Sequence, residues 1–388
     1  MDTEGHEPGL RVLFLITDLA KGGAERFLID LCTALADRPD IEFLVGTLYD
    51  NNEYRAFTDR LPIVQLHYTT FSLRRGNENA AYRQLLEEFK PDVVHTHRFL
   101  AEFLSAQQVS ENIAYVCHGH DNMVQFARFS VRTLFDRVAL TNWLEKRHLI
   151  RKKYRRVRTA FVANSTHTLE YFRTVLPRFM RDDVHLVPYG FDYERFRARG
   201  RRSRRPGEPV RLVNVGSFQD KKNQIFIVAI ARELRNAGID FEIHLLGDGA
   251  NRARVQEAVD RQGLGDRITL HGNVDHVEEW LWRSDLYLHT AWYEPFGLVL
   301  LEAMAAGLPC IVLDGKGDRD LIEQGRNGYL IEEQDPALFV ARIEELATSP
   351  RAYEAMSAYA QEYARGFDMK QAVDRFVAFY HRCRAPRR

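Results

Sequence analysis

The sequence predicts an α/β protein built from two doubly wound domains that face each other across a cleft. Its 388 residues are too many for one ordinary core, so two domains are expected. Apolar runs of strand length alternate with helical patterns, which is typical of parallel sheets covered by helices on both faces. This alternation starts again after the Arg-, Gly- and Pro-rich stretch 197–209, which marks the boundary.

The first domain begins with a buried strand at Arg11–Thr17 and an amphipathic helix at Ala24–Ala36. Further strands are predicted at Glu42–Leu48, Val93–His95, Ala114–Cys117, Thr159–Ala163 and His185–Val187. Helices are expected between most of them. This order gives a parallel sheet with crossover helices.

The second domain repeats the pattern. We expect domains at residues 1–190 and 191–369, with a helix at about 370–388 packing back on the first domain. Ligands of such sheets bind outside the carboxyl ends of the strands, so the loops there are the candidate sites. The predicted strands are Val210–Val215, Phe241–Leu246, Ile268–Leu270, Leu286–Leu288 and Cys310–Leu313, with helices at Asn223–Ala237 and Arg252–Gln262.

The charge balance gives no reason to expect a nucleic-acid partner, because the net charge is zero. Basic residues are nevertheless concentrated in the runs 146–158 and 195–205, with eight and seven Lys/Arg. The second run is interpreted as an exposed linker. The first, Lys146–Arg158, is either solvated surface or a contact with an anionic membrane, where each basic residue contributes about 1 kcal/mol.

The cysteines and the apolar runs predict a cytoplasmic protein. Four cysteines are far apart and form no Cys-x-x-Cys pair, which indicates reduced thiols. No apolar run approaches the roughly 20 residues of a membrane span. The stretch Leu10–Ile16 is interpreted as a strand, not a signal peptide. The basic run leaves open a peripheral position on the cytosolic membrane face.

Two loops between a strand and a helix are candidate anion sites. Lys21–Arg26 contains Gly22 and Gly23, which let the backbone approach a ligand before a helix N-terminus. Gly216–Asn223 occupies the same place in the second domain and adds two lysines. Neither loop matches the dinucleotide or Walker fingerprint, and the alternative for each loop alone is a structural turn.

The segment Glu294–Glu302 carries the strongest signal. A helix is predicted to begin near Gly297 and to run to Ala306, so its first amides can donate to a ligand. Glu302 shares a helical face with Leu298 and leans back towards those amides. A carboxylate there suits the adjacent hydroxyls of a polyol. The alternative is a surface acid, but a charge inside an apolar helix is costly without a partner.

Two further turns follow predicted strands. Leu246–Gly249 is a plausible turn on the nucleotide side. Cys117–Asp121 places His118 at the end of a first-domain strand, where it is expected to face the cleft. A lone histidine is more often structural, but several groups that face the cleft together favour a functional role for this second turn.

A series of short motifs runs in order along nearly the whole chain. Besides the glycine loops and Glu294–Glu302, it comprises Val94–His97, His118, Asn164–Ser165, Pro188–Asp192, Gly247–Gly249 and Gly325–Leu330. This ordered set resembles the retaining glycosyltransferases of family 4, the glycosyl transferases group 1. Members of that family have the GT-B fold of two Rossmann-like domains, which the resemblance implies for this chain.

The resemblance also implies roles for individual residues. Glu302 would hold the ribose hydroxyls, and Glu294 with the first amides of the helix would grip the donor sugar. Lys222 and the Gly23 amide would stabilise the departing diphosphate, and His118 would lie by the reacting face of the sugar. The implied catalytic residues are His118, Glu294 and Lys222. The implied donor-binding residues are Gly22, Gly23, Gly216, Ser217, Lys222, Gly247, Asp248, Val274, Glu294, Phe296, Gly297, Leu298, Val299 and Glu302.

The chain departs from the family pattern at two positions. Ser217 stands where members usually have an arginine that assists Lys222 with the phosphates. Lys221 or another basic residue is a candidate substitute, and weaker donor binding is the alternative. Thr290 stands where serine is common, which is a mild change.

Asp318-Arg319-Asp320 is an Asp-x-Asp sequence, which in the other large glycosyltransferase fold would hold a divalent metal. Here Asp318 is interpreted as a helix cap, and activity is expected without a bound metal.

The expected function is transfer of a hexose or related sugar, with retention, from a UDP- or GDP-linked donor to a cell-envelope glycan or lipid-linked acceptor. First-domain loops at roughly 50–80 and 118–135 would read the acceptor. The alternatives are a nucleotide-sugar hydrolase or epimerase of the same fold and a non-catalytic partner subunit.

Overall fold

The computed structural model describes residues 9–68, 79–198, 200 and 207–384. The chain divides into an N-terminal unit, residues 1–190 with 369–388, and a C-terminal unit, Phe191–Asp368. Each unit has one parallel sheet with helices packed on it. Among the described residues, no helix combines the length and the apolar character needed to span a bilayer.

The N-terminal sheet has seven parallel strands in the order β3-β2-β1-β4-β5-β6-β7. Nearly all residues of its central strands are buried, because helices cover both faces of the sheet. The strands are β1 Leu10–Ile16, β2 Ile41–Thr47, β3 Ile63–Gln65, β4 Val93–His97, β5 Ala114–Gly119, β6 Thr159–Ala163 and β7 Val184–Leu186. The helices are α1 Gly23–Leu35, α2 Arg55–Thr58, α3 Ala80–Phe89, α4 Phe99–Ser105, α5 Arg137–Leu149 and α6 Thr166–Val175.

The C-terminal sheet has six parallel strands in the order β10-β9-β8-β11-β12-β13. The strands are β8 Val210–Val215, β9 Phe241–Leu246, β10 Ile268–Gly272, β11 Leu286–His289, β12 Cys310–Leu313 and β13 Gly328–Ile331. The helices are α7 Tyr193–Phe196, α8 Ile225–Asn236, α9 Arg252–Arg261, α10 Val277–Arg283, α11 Leu298–Ala305, α12 Pro336–Thr348 and α13 Pro350–Arg365.

Both sheets reverse their winding direction beside their first strand. The chain winds outwards from β1 to β3 and then returns to β4, and it does the same from β8 to β10 before β11. Ligands of doubly wound sheets bind at this reversal, outside the carboxyl ends of the strands. The predicted fold class is therefore confirmed, and both glycine loops and Glu294 follow strands that flank a reversal.

The last helix, α14 at Met369–Arg384, packs within the N-terminal unit. Arg38, in the turn that follows α1, forms an ion pair with Asp374 at 2.5 Å. The Tyr380 hydroxyl lies 2.8 Å from Nδ1 of His95 on β4. A Cβ atom at Gly190 would lie 2.4 Å from the Ala372 methyl group, so the chain needs glycine where it passes this helix.

Some basic side chains of the two Lys/Arg-rich runs bind other groups of the protein and do not simply face solvent. Arg195 of the second run lies in α7 and pairs with Glu278 at 3.0 Å, whereas residues 199 and 201–206 lie outside the described residues. In the first run, Lys146 donates hydrogen bonds to the carbonyl oxygens of Phe126 and Val175. A π-helical turn at Ile150–Tyr154 then directs other side chains of this run inwards.

Candidate functional site

The loop after β11 is tied to the loop after β8. The Thr290 hydroxyl donates to the Lys222 carbonyl oxygen at 3.1 Å, and the Trp292 amide donates to the Lys221 carbonyl oxygen at 3.0 Å. The Trp292 indole N–H reaches the Asp220 carbonyl oxygen at 2.8 Å. All three acceptors are carbonyl oxygens of the short 3₁₀ turn Asp220–Lys222. The bonds therefore hold Lys221 and Lys222 beside the loop that follows β11.

Glu294 is a buried carboxylate that is paired with Lys222. The imidazole Nε2 of His289, at the end of β11, lies 3.5 Å from Oε2 of Glu294. Burial acts to raise the pKa of Glu294, but Lys222 and His289 outweigh it and hold that pKa well below its usual range. Burial also lowers the pKa of His289, so the imidazole is neutral. Glu294 is therefore ionised at neutral pH, next to a fixed ammonium group.

Asp318 is the second buried acid of this site, with no exposed surface. Its Oδ1 accepts a hydrogen bond from the Gly315 amide at 2.9 Å, and its Oδ2 lies 3.7 Å from Nε2 of His289. Burial and the neighbouring Glu294 carboxylate raise the pKa of Asp318 to about 8. Asp318 is therefore mostly protonated at neutral pH, while Glu294 is ionised.

The prediction that Asp318 caps a helix is wrong. Gly317 occupies the N-cap position of the 3₁₀ turn Asp318–Leu321, and no side chain caps that turn. The carboxyl group of Asp318 instead accepts a hydrogen bond from the Gly315 amide, in the loop that precedes this turn. Asp320, two residues on, is exposed, so the two acids of the Asp-x-Asp sequence occupy different environments.

Backbone contact holds the Glu294 loop against the loop after β12. The Glu294 amide donates to the Gly315 carbonyl oxygen at 2.7 Å, and the Gly317 amide donates to the Glu294 carbonyl oxygen at 3.0 Å. A Cβ atom at Gly317 would lie 1.9 Å from the Pro295 carbonyl oxygen. Only glycine permits this approach. The position of Glu294 is thus fixed by main-chain geometry on both sides.

Helix α11 has a face that is less buried than the rest. It starts at Leu298, after Gly297 in a left-handed conformation with φ of 95°, and it ends at Ala305. Leu298, Val299 and Glu302 are partly exposed, whereas Leu300 and Leu301 are buried. The predicted helix and the shared face are confirmed. The donor-binding roles of these residues and of the buried Phe296 stay predictions.

The loops after β8 and β9 are packed backbone to backbone. The Gly216 amide donates to the Leu246 carbonyl oxygen at 2.9 Å. Gly247 has a φ of 127°, and a Cβ atom there would lie 2.2 Å from the Gly216 carbonyl oxygen. Ser217 and Asp248 are exposed in these loops, and Val274 is partly exposed in the turn after β10. The predicted residues thus lie along one edge of the C-terminal sheet.

The first glycine loop of the N-terminal unit ends at an exposed helix start. Gly22 is the N-cap of α1, and its amide donates to the Tyr54 hydroxyl at 3.2 Å. Glu25 is buried and pairs with Arg98 at 2.8 Å. Burial raises the pKa of Glu25, and Arg98 offsets part of that effect. Gly23 is exposed, so a ligand can reach its backbone.

Four histidines meet at the carboxyl ends of β4 and β5. His95 Nε2 lies 3.2 Å from His118 Nδ1, and His97 Nδ1 lies 2.8 Å from His120 Nε2. His118 also stacks on His120, with ring centroids 4.3 Å apart. Burial lowers the pKa of His95, His97 and His118, so these rings are neutral at physiological pH.

His118 is turned into the N-terminal unit. It has no exposed surface, and it packs against Phe27 of α1 and Phe376 of α14. The structure therefore shows a fully buried His118 side chain, and the expectation that His118 faces a cleft stays a prediction. His120, two residues later, is partly exposed. The role of His118 beside a sugar stays a prediction.

The histidine cluster also contains a group that could hold a metal by residue type, namely His95, His97 and His118. Both ring nitrogens of His95 and one each of His97 and His118 already have partners. Within the described residues, the two Nε2 atoms of His97 and His118 remain without one. Two nitrogens are fewer than the three or four protein ligands of zinc sites.

Sequence reasoning did not find His289, Arg98 or Tyr380 as parts of these sites. His289 ends β11 immediately before the loop of Glu294, and this position was the one available signal. Arg98 adopts a φ of 70°, which brings its guanidinium group to Glu25. Tyr380 lies near the C-terminus, and only the packing of α14 brings it to the histidines.

Two family profiles match consecutive parts of the chain. The profile of the glycosyl transferases group 1 matches residues 197–363, and that of Glycosyltransferase Family 4 matches residues 21–195. The chain is a group 1, family 4 glycosyltransferase. The two matches cover most of both units, and they meet close to the boundary between the units.

Individual relatives agree with this assignment. The glycosyltransferase is 27% identical to the putative glycosyltransferase EpsF of Bacillus subtilis over 323 residues, which cover 78% of this chain and 79% of EpsF. It is also 27% identical to the putative colanic acid biosynthesis glycosyltransferase WcaL of Salmonella typhimurium, over about half of each chain.

A solved structure shares the fold. The complex of Anabaena Alr3699/HepE with UDP and glucose superposes with a TM-score of 0.75 at 19% identity. The superposition covers 96% of the glycosyltransferase and 99% of HepE. The predicted GT-B fold is confirmed.

Proposed function

We propose that this glycosyltransferase moves a hexose or related sugar, with retention, from a UDP- or GDP-linked donor to a cell-envelope glycan or lipid-linked acceptor. The observation that carries the proposal is the pairing of Lys222 with ionised Glu294 beside the start of α11. HepE, which has the same fold, binds UDP and glucose, and WcaL is named for colanic acid biosynthesis. The HepE complex supports a nucleotide-sugar donor, and the name of WcaL supports a glycan acceptor of the cell envelope.

Lys222 supplies positive charge for the leaving diphosphate. A buried carboxylate and two loop hydrogen bonds fix the position of this lysine before any ligand arrives. A preorganised charge needs no reorganisation during the reaction, which makes such electrostatic stabilisation effective. The Gly23 amide is the proposed second donor to the diphosphate.

Glu294 and Glu302 are proposed to bind different hydroxyl groups of the donor. Glu294, ionised at neutral pH, accepts hydrogen bonds from hydroxyl groups of the donor sugar. Glu302, on the less buried face of α11, accepts those of the ribose, and the amides at Phe296–Leu298 donate to the sugar. The acceptor attacks from the side that the diphosphate leaves, so the anomeric configuration is retained.

We propose that turnover needs no bound metal, because Lys222 and helix N-terminal amides neutralise the diphosphate in its place. Ser217 is exposed and supplies no charge where family members have an arginine. Lys221 lies in the same 3₁₀ turn as Lys222 and is the proposed substitute.

We further propose a peripheral position on the cytosolic membrane face, through the run Lys146–Arg158. Lys146 and Lys153 are turned inwards, so exposed members of the run, such as Arg147 and Arg151, would make this contact.

A thermal-shift screen of nucleotide sugars, followed by product analysis with the best donor, tests the proposal. A UDP- or GDP-sugar should raise the melting temperature, and product should form only with an acceptor and with the donor's anomeric configuration. Nucleotide release that is equally fast without acceptor would identify a hydrolase. A protein that no nucleotide sugar stabilises would be a non-catalytic partner subunit.

A further inference from the structure

The N-terminal unit exposes a cluster of large apolar side chains between Val124 and Leu144. Of the fifteen exposed large apolar residues in the described part of the chain, seven fall in this segment. Phe135 is 87% exposed, Val131 72% and Val138 69%. Soluble surfaces rarely concentrate apolar groups in this way unless something binds to them. The other members of the cluster are Val124, Phe129, Leu134 and Leu144.

The backbone beneath these side chains is anchored. Phe126 is fully buried and packs against the rings of Phe161 and Phe172, with centroids 5.8 and 6.1 Å away. Its carbonyl oxygen accepts a hydrogen bond from the Lys146 ammonium group at 2.7 Å. Arg128 donates to the Thr174 carbonyl oxygen at 2.9 Å. The apolar side chains therefore project from an ordered segment.

The apolar cluster continues directly into a basic helix face. The Phe129 ring lies 5.1 Å from the Trp143 ring of α5, and the Arg147 guanidinium group lies 4.8 Å above that same Trp143 ring. Arg137, Leu144 and Arg147 are all exposed on this helix. Tryptophan flanked by apolar and basic side chains is typical of segments that lie at a bilayer surface.

The positive charge of this region favours an anionic partner. Residues 124–158 contain eleven Lys/Arg and two Asp/Glu, Asp136 and Glu145. Asp136 is engaged at the N-terminus of α5, where it accepts hydrogen bonds from the amides of Val138 and Ala139. A second copy of the chain would bring the same positive charge and be repelled. An anionic lipid surface offers both the apolar interior and the opposite charge.

We propose that this apolar–basic strip, residues 124–152, docks the protein on an anionic bilayer. Phe135, Leu134 and their apolar neighbours enter the acyl region, and the exposed arginines of α5 and of the turn that follows it bind lipid phosphates. This inference goes beyond the proposed contact at Lys146–Arg158, because it makes apolar insertion necessary. It rests on the proposed function only for its choice of a cytosolic membrane face.

Flotation of the full chain with vesicles tests the strip. The vesicles are phosphatidylcholine alone or with about 30% phosphatidylglycerol. The wild-type protein should float with the anionic vesicles only, and salt at about 0.5 M should release much of it. Leu134→Ser/Phe135→Ser should reduce binding about tenfold or more. Arg147→Gln/Arg151→Gln should weaken the preference for anionic lipid.

Leu338→Ser, which changes an exposed leucine of the C-terminal unit, is the matched control and should bind as the wild type does. Melting temperature and affinity for the nucleotide sugar, which is proposed to bind mainly to the C-terminal unit, should be unchanged in the two double variants, so a failed docking site and a failed enzyme assignment are distinguishable. Equal binding of wild type and Leu134→Ser/Phe135→Ser would overturn the proposal. The proposal would also be overturned if the wild-type protein did not bind vesicles but formed a dimer that the strip variants could not form.

Discussion

The buried acid Asp318 makes the stability of the C-terminal unit depend on pH in a way that one substitution should remove. Its pKa is raised to about 8, against about 3.9 for an exposed aspartate. The folded protein therefore keeps a proton that the unfolded chain has lost between about pH 4 and pH 8. The stability contribution of Asp318 is fully present below pH 4 and is lost as the pH rises through 8.

The magnitude follows from the same difference. Each pH unit in that window removes about 1.4 kcal/mol, so the contribution falls by about 4 kcal/mol from pH 5 to pH 8. Asp318→Asn keeps the oxygen that accepts from the Gly315 amide and has no proton to lose. The variant should therefore gain stability relative to the wild type as the pH rises, by up to this amount.

Urea unfolding at several pH values, followed by tryptophan fluorescence, measures the effect. Three of the four tryptophans, Trp280, Trp282 and Trp292, lie in the C-terminal unit and report on it. Asp320→Asn, which changes the exposed acid of the same turn, should show no such trend. If the free energies of unfolding of Asp318→Asn and the wild type stay parallel from pH 5 to pH 8, Asp318 is ionised and the reasoning is wrong.

Three further predictions concern other parts of the molecule. Lys153→Met leaves the fully buried Glu102 without its ion-pair partner, so the free energy of unfolding measured in urea should fall by about 3–5 kcal/mol. Adding Glu102→Gln to this variant should recover part of the lost free energy of unfolding. Gly317→Ala forces a methyl group against a carbonyl oxygen and should cost about 1–3 kcal/mol, whereas Gly265→Ala, which has open space, should be nearly neutral; equal effects would refute the close approach. Activity should survive dialysis against a chelator, and loss of turnover that a divalent metal restores would contradict the metal-free proposal.

Elements whose signal is local were predictable from the sequence. Cys310–Leu313 is a continuous apolar run, and Val210–Val215 is an apolar run interrupted by Arg211 and Asn214. Both strands have the predicted bounds in the structure. The face shared by Leu298 and Glu302 follows from helix periodicity alone. Strand β3 has only three residues, too few to show a periodic pattern, and it was not predicted.

Features that depend on distant packing were not predictable. The burial of His118 depends partly on α14, which brings Phe376 to it from the far end of the chain. Lys153 belongs to a run that resembles a solvated basic face, but the π-helical turn at Ile150–Tyr154 directs its ammonium group to Glu102, 2.8 Å away. Of the loops predicted to read the acceptor, residues 69–78 lie outside the described residues.

Calorimetric titration of the full chain with UDP and with GDP tests the central claim most directly. The wild-type protein should bind one of these nucleotides at a single site, and Glu302→Ala should abolish that binding. Glu294→Ala should keep the nucleotide but lose turnover, because its carboxylate is proposed to hold the sugar. A wild-type protein that binds neither nucleotide, or two variants that bind and turn over like the wild type, would contradict the assignment of the donor site to Glu294–Glu302.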